Sequence, residues 1–462
     1  MKLVVLNGSP KGEMSITFQY IRFLEKKYPQ HAFQVFNVAH DIRKIEAEER
    51  FFRGIIDRVS EADGIIWAFP LYYLLVSSQY KRFIELIWER NGSGSFKDKF
   101  AAAISTSIHV FDHTAHNYIH AICDDLGMKF LGSYSADMYD LTKDIEQQRF
   151  LGFGDHFLKG IEKHIETARE YLPIQRAPFS YEPQGHAQPT ADHAGKKVLV
   201  LTDYKPDQTN LISMIDRLKS CFSNAIQVIN LFDIEMRGGC LGCLQCGYDN
   251  TCIYKDKDGF LGFYNEVIKK ATIIIFAGAI QDRYLSSRWK MFFDRSFFNN
   301  HVPSLRGKQI GFLVSGPLGQ IPNLRQILEG YTEIQMGNLA GIVTDESEDS
   351  LEIDNLIESL AHRLIEYANT DYIKPPTFLS VGVRKIFRDE IYGHMRFPFQ
   401  ADNAYYRKNG YYNFPQKELK ARITSAFLML LTKIPSMRRE IYKKRMIEEM
   451  VKPLKKVVDK AA

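Results

Sequence analysis

The sequence predicts an α/β protein: two tandem, doubly wound parallel sheets followed by a basic, mainly helical C-terminal extension. Three observations carry this expectation. The stretch KLVVLNGSPKGEMSITFQYIRFL (residues 2–24) reads as a strand, a loop and an amphipathic helix. Its unalternating Leu and Val fit a strand covered on both faces. The same layout returns in KVLVLTDYKPDQTNLISMIDRL (residues 197–218), and strands that alternate with helices in this order imply parallel βαβ units. Finally, ADGIIWAFPLYYLLVSSQYKRFIE (62–85) matches ATIIIFAGAIQDRYLSSRWKMFFD (271–294), with residues 77–83 aligned on 286–292 without a gap. FAAAISTS (100–107) and IGFLVSGP (310–317) form a further matched pair of strands.

The expected boundaries are residues 1–170 for the first domain, 171–195 for a linker, 196–372 for the second domain and 373–462 for the extension. The linker is rich in Pro, Ala, Gly and His and lacks apolar periodicity. A chain of 462 residues, 45% hydrophobic and 25% charged, reads as ordinary globular protein of two or three domains. The N-terminal apolar run is shorter than a signal peptide needs, and no segment reaches the ~18 apolar residues of a membrane span. Six cysteines are too few for a disulfide-stapled scaffold, so the expected location is a reducing cytoplasm. From Arg384 onward, 19 Lys and Arg face 8 Asp and Glu, while the whole chain carries only +5. That tail, interrupted by Pro435 and Pro453, either packs on its own domain or contacts a membrane surface or an acidic redox partner. No nucleic-acid motif accompanies the charge, so nucleic acid is not an expected partner.

The loop NGSPKGEMSIT (7–17) joins the first strand to the first helix. Backbone N–H groups and the helix N-terminus, with about half a positive charge, suit an anion such as phosphate there. Gly8 and Gly12 permit close approach, Ser9, Ser15 and Thr17 supply hydroxyls, and Lys11 supplies charge. A plain Ser cap behind a turn is the alternative. Pro70, Tyr72 and Tyr73 end another strand and offer a flat wall for a planar ring, and Ser105, Thr106 and Ser107 end a third. No dinucleotide fingerprint is present.

These loops carry a resemblance. Residues 1–165 resemble the flavodoxin-like NADPH-dependent FMN reductase family, through NGSPKG-x-x-S-x-T and FPLYYLLVSSQYKRFIE. The resemblance implies a flavodoxin-like fold and FMN as cofactor. Ser9, Lys11, Ser15, Ile16 and Thr17 would hold its phosphate. Phe69, Pro70, Leu71, Tyr72 and Tyr73, with Ser105, Thr106 and Ser107, would line its ring. The second domain departs from the pattern. Its first loop, TDYKPD (202–207), lacks glycine and brings two aspartates, and Ala279 and Gln281 replace Pro70 and Tyr72. It is not expected to bind a flavin of its own.

Cys240, Cys243, Cys246 and Cys252 form C-x2-C-x2-C-x5-C among glycines, in what reads as an insertion. Such runs recur in [4Fe–4S] ligation; zinc and unmetallated thiols are the alternatives. MRGGCLGCLQCGYDNTCIYKDKDGF resembles the iron–sulfur flavoproteins, whose working unit is an oligomer bringing a cluster to a neighbouring flavin. The expected function is an FMN-dependent oxidoreductase with a cluster. It would move electrons between a reduced donor, NAD(P)H or ferredoxin-like, and a small-molecule or protein acceptor, within one chain or a homo-oligomer. The alternatives are a non-catalytic electron carrier or redox sensor, or an FMN reductase with a structural zinc module. No catalytic side chain is expected. His109, His113, His116 and His120, spaced 4, 3 and 4, would share one helix face as a polar, cleft-facing surface or, less simply, a metal site.

Overall fold

The computed structural model describes residues 1–176, 178–185, 195–414 and 417–461, with the side chain at 444 excepted. Ala177 and residues 186–194 of the expected linker lie outside the described residues.

The first sheet holds β1 (Lys2–Asn7), β2 (Ala32–Phe36), β3 (Gly64–Pro70), β4 (Phe100–Ser107) and β5 (Lys129–Asp137). All are parallel, in the order β2-β1-β3-β4-β5. The second holds β6 (Val198–Thr202), β7 (Gln227–Asn230), β8 (Ile273–Ala279), β9 (Gln309–Ser315) and β10 (Asn338–Thr344), in the order β10-β9-β8-β6-β7. Read from its other edge, this is the same order. The unalternating apolar runs of β1, β3 and β4 are buried along almost their whole lengths, as strands covered by helices on both faces must be. In each sheet the order reverses beside the first strand, which opens a crevice at the carboxyl ends.

The helices are α1 (Ile16–Lys27), α2 (Ile42–Ala47), α3 (Glu49–Glu61), α4 (Ser78–Glu89), α5 (Asp112–Asp125) and α6 (Asp144–Glu162) around the first sheet. With the second come α7 (Thr209–Ser220), α8 (Cys246–Asp249), α9 (Phe260–Phe263), α10 (Ser287–Ser296), α11 (Pro322–Ile334), α12 (Ser350–Asn369) and α13 (Phe378–Tyr392). Then follow α14 (Gln400–Lys408), α15 (Leu419–Leu431), α16 (Pro435–Glu440) and α17 (Met446–Val458). The chain divides into two compact units, Met1–Tyr405 and Tyr406–Ala462. The first unit contains both sheets and also α13. That helix packs on α11 and is tied there by Thr377, whose N–H donates to Glu333 Oε2 at 2.9 Å.

The two sheets meet through α4 and α10, the helices of the matched S-S-x-aromatic-K-x-F segments. Each helix caps the other. Ser78 N–H donates to Asp294 Oδ2 at 2.7 Å, and Ser287 N–H donates to Glu85 Oε1 at 2.6 Å. A carboxylate at a helix N-terminus satisfies orphan donors and favours the dipole. Both carboxylates pair with a lysine one turn earlier, Lys81 with Glu85 at 2.7 Å and Lys290 with Asp294, all four side chains being almost wholly buried. Each lysine also reaches into the other half. Lys81 Nζ lies 3.0 Å from Asp282 Oδ2, and Lys290 Nζ donates to the Tyr72 carbonyl at 2.9 Å. This is the reciprocal contact pattern of an isologous dimer, made within one chain.

Candidate functional site

Three loops converge at the carboxyl end of the first sheet. In the first, Ser9 N–H donates to Asn7 Oδ1 at 3.1 Å, and Gly12, at φ +55°, closes the turn by donating to the Ser9 carbonyl at 3.0 Å. Ser77 Oγ at the foot of α4 donates to the Gly8 carbonyl at 3.0 Å, and a side chain at Gly8 would overlap the Tyr80 ring. Glycine is therefore required at that close approach. Ser15 Oγ caps α1 by accepting from Phe18 N–H at 3.1 Å. Thr17 Oγ1 and Thr106 Oγ1 share a buried hydrogen bond of 2.6 Å, which ties the first loop to β4. The Leu71 N–H donates to the Thr106 carbonyl at 3.2 Å and ties in β3.

The remaining predicted hydroxyls also have partners. Ser105 Oγ lies 2.8 Å from His116 Nε2, and burial pushes that imidazole down to about 4, so it is neutral. Ser107 Oγ accepts from His109 N–H at 2.9 Å. Lys11, Glu13, Met14 and Ile16 are the exposed side chains of the first loop. The first N–H groups of α1 have no intrahelical acceptor. Those donors and Lys11 are of the kind an anion takes, with the exposed Glu13 carboxylate beside them. The four histidines do not share one surface. His109 and Phe111 take φ of +61° and +59° and delay the start of α5 to Asp112. His109 then pairs with Asp112 at 2.9 Å, His116 is buried, and His120 stacks on Phe130.

The loop after β3 is a tight turn. Tyr72 and Leu75 exchange backbone hydrogen bonds of 2.8 and 3.0 Å, and the central Tyr73 and Leu74 both have positive φ, +38° and +67°. Two bulky residues in that region are strained, at about 1–2 kcal/mol each. Tertiary packing holds them. Tyr73 is driven into the second half, against Tyr331 and Phe297 and within hydrogen-bonding reach of Gln335. Its side chain is thus taken up by the contact between halves, while Pro70 and Leu71 stay partly exposed at the crevice.

The cysteine segment arrives beside this turn. Gly242, at φ +62°, packs on the Tyr72 hydroxyl and on Lys11; any side chain there would overlap Tyr72. Gln79 Nε2 donates to the Cys240 carbonyl at 3.1 Å. Burial pushes the Tyr72 phenol well above its ordinary value, with Cys240, Asp294 and Cys243 adding to the effect. Cys240, Cys243, Cys246 and Cys252 all line one cavity of about 30 Å³, with Tyr254, Arg295 and Phe297. Burial pushes the Cys240 and Cys246 thiols up to about 12, and neighbouring cysteines add to the rise. Among the described residues, no group of three or more His, Cys, Asp or Glu is arranged as a metal site. The donors suit iron or zinc in kind and share one cavity. That cavity is about the size of one water, and the arrangement does not fit a cluster.

The second sheet's carboxyl end is closed by the chain itself. Residues of the expected linker run across it. Gln175 N–H donates to Gln320 Oε1 at 2.9 Å, and Arg176 Nη2 to the Ile280 carbonyl at 2.7 Å. Asn210, at the start of α7, donates to the Phe179 carbonyl at 3.0 Å and accepts from Tyr181 N–H at 2.9 Å. The same Asn210 amide reaches Asp345 Oδ2 at 3.0 Å, which also takes Ser315 Oγ at 2.8 Å. Tyr181 Oη donates to Asp354 Oδ1 at 2.5 Å. At the position matching Gly8 stands Asp203, buried, accepting from Ser286 Oγ and pushed up to about 6 by burial.

A cleft of about 1070 Å³ lies between the halves and runs from Lys11 and Cys243 to Lys205 and Arg288. Neither the cleft, the linker's bonds nor the Gln79–Cys240 contact was legible in the sequence. They depend on which elements face each other, which periodicity does not report. The repeated K-x-F segments were the available signal for the contact between halves.

Residues 1–138 match the model of the NADPH-dependent FMN reductase family. No curated protein matches the chain. Among solved structures, the chain is similar to the flavoenzyme NAD(P)H:(acceptor) oxidoreductase FerB from Paracoccus denitrificans, at 21% identity and TM-score 0.30, over 35% of this chain and 98% of that one. It is also similar to a putative quinone reductase from Klebsiella pneumoniae, at 16% identity and TM-score 0.26, over 38% and 88% of the two chains. A third is the general stress protein 14 from Treponema denticola in complex with FMN, at 9% identity and TM-score 0.27, over 35% and 98%.

Proposed function

We propose that the chain is a flavin-dependent oxidoreductase that binds one FMN, at the carboxyl end of the first sheet, and exchanges electrons between a reduced nicotinamide or similar donor and a separate acceptor. One observation carries this reading: the loops after β1, β3 and β4, which lie inside the segment matching the FMN reductase family, are tied together at one crevice. Lys11 and the α1 N-terminus, with Ser9, Ser15, Ile16 and Thr17 forming the loop, would hold the phosphate dianion. Pro70, Leu71 and Tyr72, with Ser105 to Ser107, would flank the ring; Phe69, fully buried against Tyr80 and His116, would only back that wall, and Tyr73 would set the turn that carries Tyr72. FMN supplies hydride and single-electron chemistry when bound; the chain supplies position and access. His116 is neutral, so it orients Ser105 without adding charge behind the ring wall. The Gly242 segment packs over the Tyr72 hydroxyl and against the stem of the exposed Lys11, and would exclude water from the Tyr72 flank.

The matched halves read as a duplication in which only the first copy keeps a cofactor crevice. A second reading adds a metal centre at Cys240, Cys243, Cys246 and Cys252. It is favoured by their convergence on one cavity beside Tyr72, and it requires the segment to open.

Protein purified without oxygen would be assayed for flavin, iron, sulfide and zinc, with its absorbance spectrum recorded. One FMN per chain, and binding weakened about tenfold or more by Lys11→Ala, are expected from the loss of a charge-assisted phosphate contact. Absence of flavin after reconstitution would remove the oxidoreductase reading. Iron with sulfide, or zinc alone, would decide the second reading.

A further inference from the structure

The unit formed by residues 406–462 shows a surface that a water-facing protein does not leave bare. None of α15, α16 and α17 has a buried residue. In α17, Ile447, Met450, Val451, Leu454, Val457 and Val458 are all exposed. Their spacing of 3, 1, 3, 3 and 1 gathers them on one helix face. Lys452, Lys455 and Lys456 fall between them. In α15, Leu419, Ile423, Phe427 and Leu430 repeat the i, i+4, i+8, i+11 pattern and are exposed as well. A contiguous exposed apolar face on this scale marks an interaction surface.

Charge decides the occupant. Residues 406–462 hold fifteen Lys and Arg against five Asp and Glu. Within an overall charge of +5, the rest of the chain is therefore net acidic. A second copy of this unit would bring one strongly basic surface against another. A bilayer surface rich in anionic headgroups takes both features at once: apolar side chains enter the acyl boundary while lysines stay among the phosphates. No helix of the described residues is long and apolar enough to cross a membrane, which leaves an in-plane position.

We propose that the 406–462 unit is an in-plane, amphipathic docking surface for anionic lipid bilayers. The full chain would be sedimented with phosphatidylcholine vesicles, with and without phosphatidylglycerol. Binding only to the anionic vesicles, reduced by raised salt, is expected. The triple variant Lys452→Glu, Lys455→Glu, Lys456→Glu should weaken binding more than tenfold. So should Ile447→Ser, Leu454→Ser, Val458→Ser, which leaves every charge in place. Equal binding to neutral vesicles, or none to either, would overturn the proposal, and both readings need only the unaltered chain. Sedimentation equilibrium without lipid gives the other arm: a tight dimer lost in the apolar triple variant would assign this face to a second copy and overturn the lipid assignment.

Discussion

The two sheets have the same strand order and the same helix at their contact, yet their carboxyl ends have opposite fates. At the first, Gly8 lets the loop approach the Tyr80 ring, the turn after β3 is strained, and Lys11 faces solvent. At the second, Asp203 stands in place of Gly8 and residues 175–181 run across the opening. The turn after β8 lacks the positive φ angles of Tyr73 and Leu74, and its Asp282 receives Lys81 instead. The difference teaches that a parallel sheet supplies a crevice wherever its order reverses, but side chains decide whether it remains one. Strain is kept at the crevice that would work, and the other is crossed by residues 175–181 and their hydrogen bonds.

The largest expected effect breaks the symmetry of the contact itself. Lys81 serves two carboxylates, Glu85 and Asp282, which outweigh its burial and hold its charge firmly. Lys290 has one, Asp294, and burial lowers the lysine while raising the carboxyl. Lys81→Met should cost about 3–5 kcal/mol, because it leaves buried Asp282 without a cationic partner and buried Glu85 with Arg82 alone. Lys290→Met should cost clearly less, because Asp294 can take up a proton and keep its bond from Ser78. Urea midpoints of both variants at pH 7 and pH 5 check this, with Lys290→Met recovering more at the lower pH. Equal losses would mean that the two lysines are equivalent.

A smaller effect concerns Asp203. Its carboxyl ordinarily titrates near ~3.9 and is raised to about 6 in the folded chain. The folded state then binds more protons than the unfolded between those values. The neutral form's stability is fully present below about 4 and is lost as pH rises through 6. The change is about 3 kcal/mol at most, at 1.36 kcal/mol per pH unit. Asp203→Asn should flatten this part of the stability profile without creating a second flavin site, since the linker still covers the crevice. A second bound flavin in that variant would show that charge alone had closed the site.

Much of the architecture was legible because buried strands and amphipathic helices leave periodic traces. The aligned S-S-x-aromatic-K-x-F segments even marked α4 and α10, though not that they face each other. The linker's packing on the second half was not legible, because single bonds such as Asn210 to Phe179 leave no periodic pattern. The histidine spacing misled because left-handed His109 and Phe111 interrupt the helix, and non-glycine residues give no warning of positive φ. Tyr73 was assigned to a ring wall for the same reason; its turn aims it into the second half.

The smallest effect sharpens the comparison at the helix starts. Ser15 caps α1 through its side chain, whereas Gln208 makes no such bond to α7. Ser15→Ala should cost ~1 kcal/mol, a few degrees in Tm, while Gln208→Ala should cost only tenths. Added FMN separates the two tasks of Ser15. A cap alone costs the same with and without ligand, because the lost bond to Phe18 is present in both states. A group that also helps to present the α1 N–H donors to phosphate costs more with FMN bound, and the excess appears as weaker flavin binding by the same factor. Gln208→Ala should show no excess at any flavin concentration, since the crevice beside it already holds the chain's own Phe179 and Tyr181.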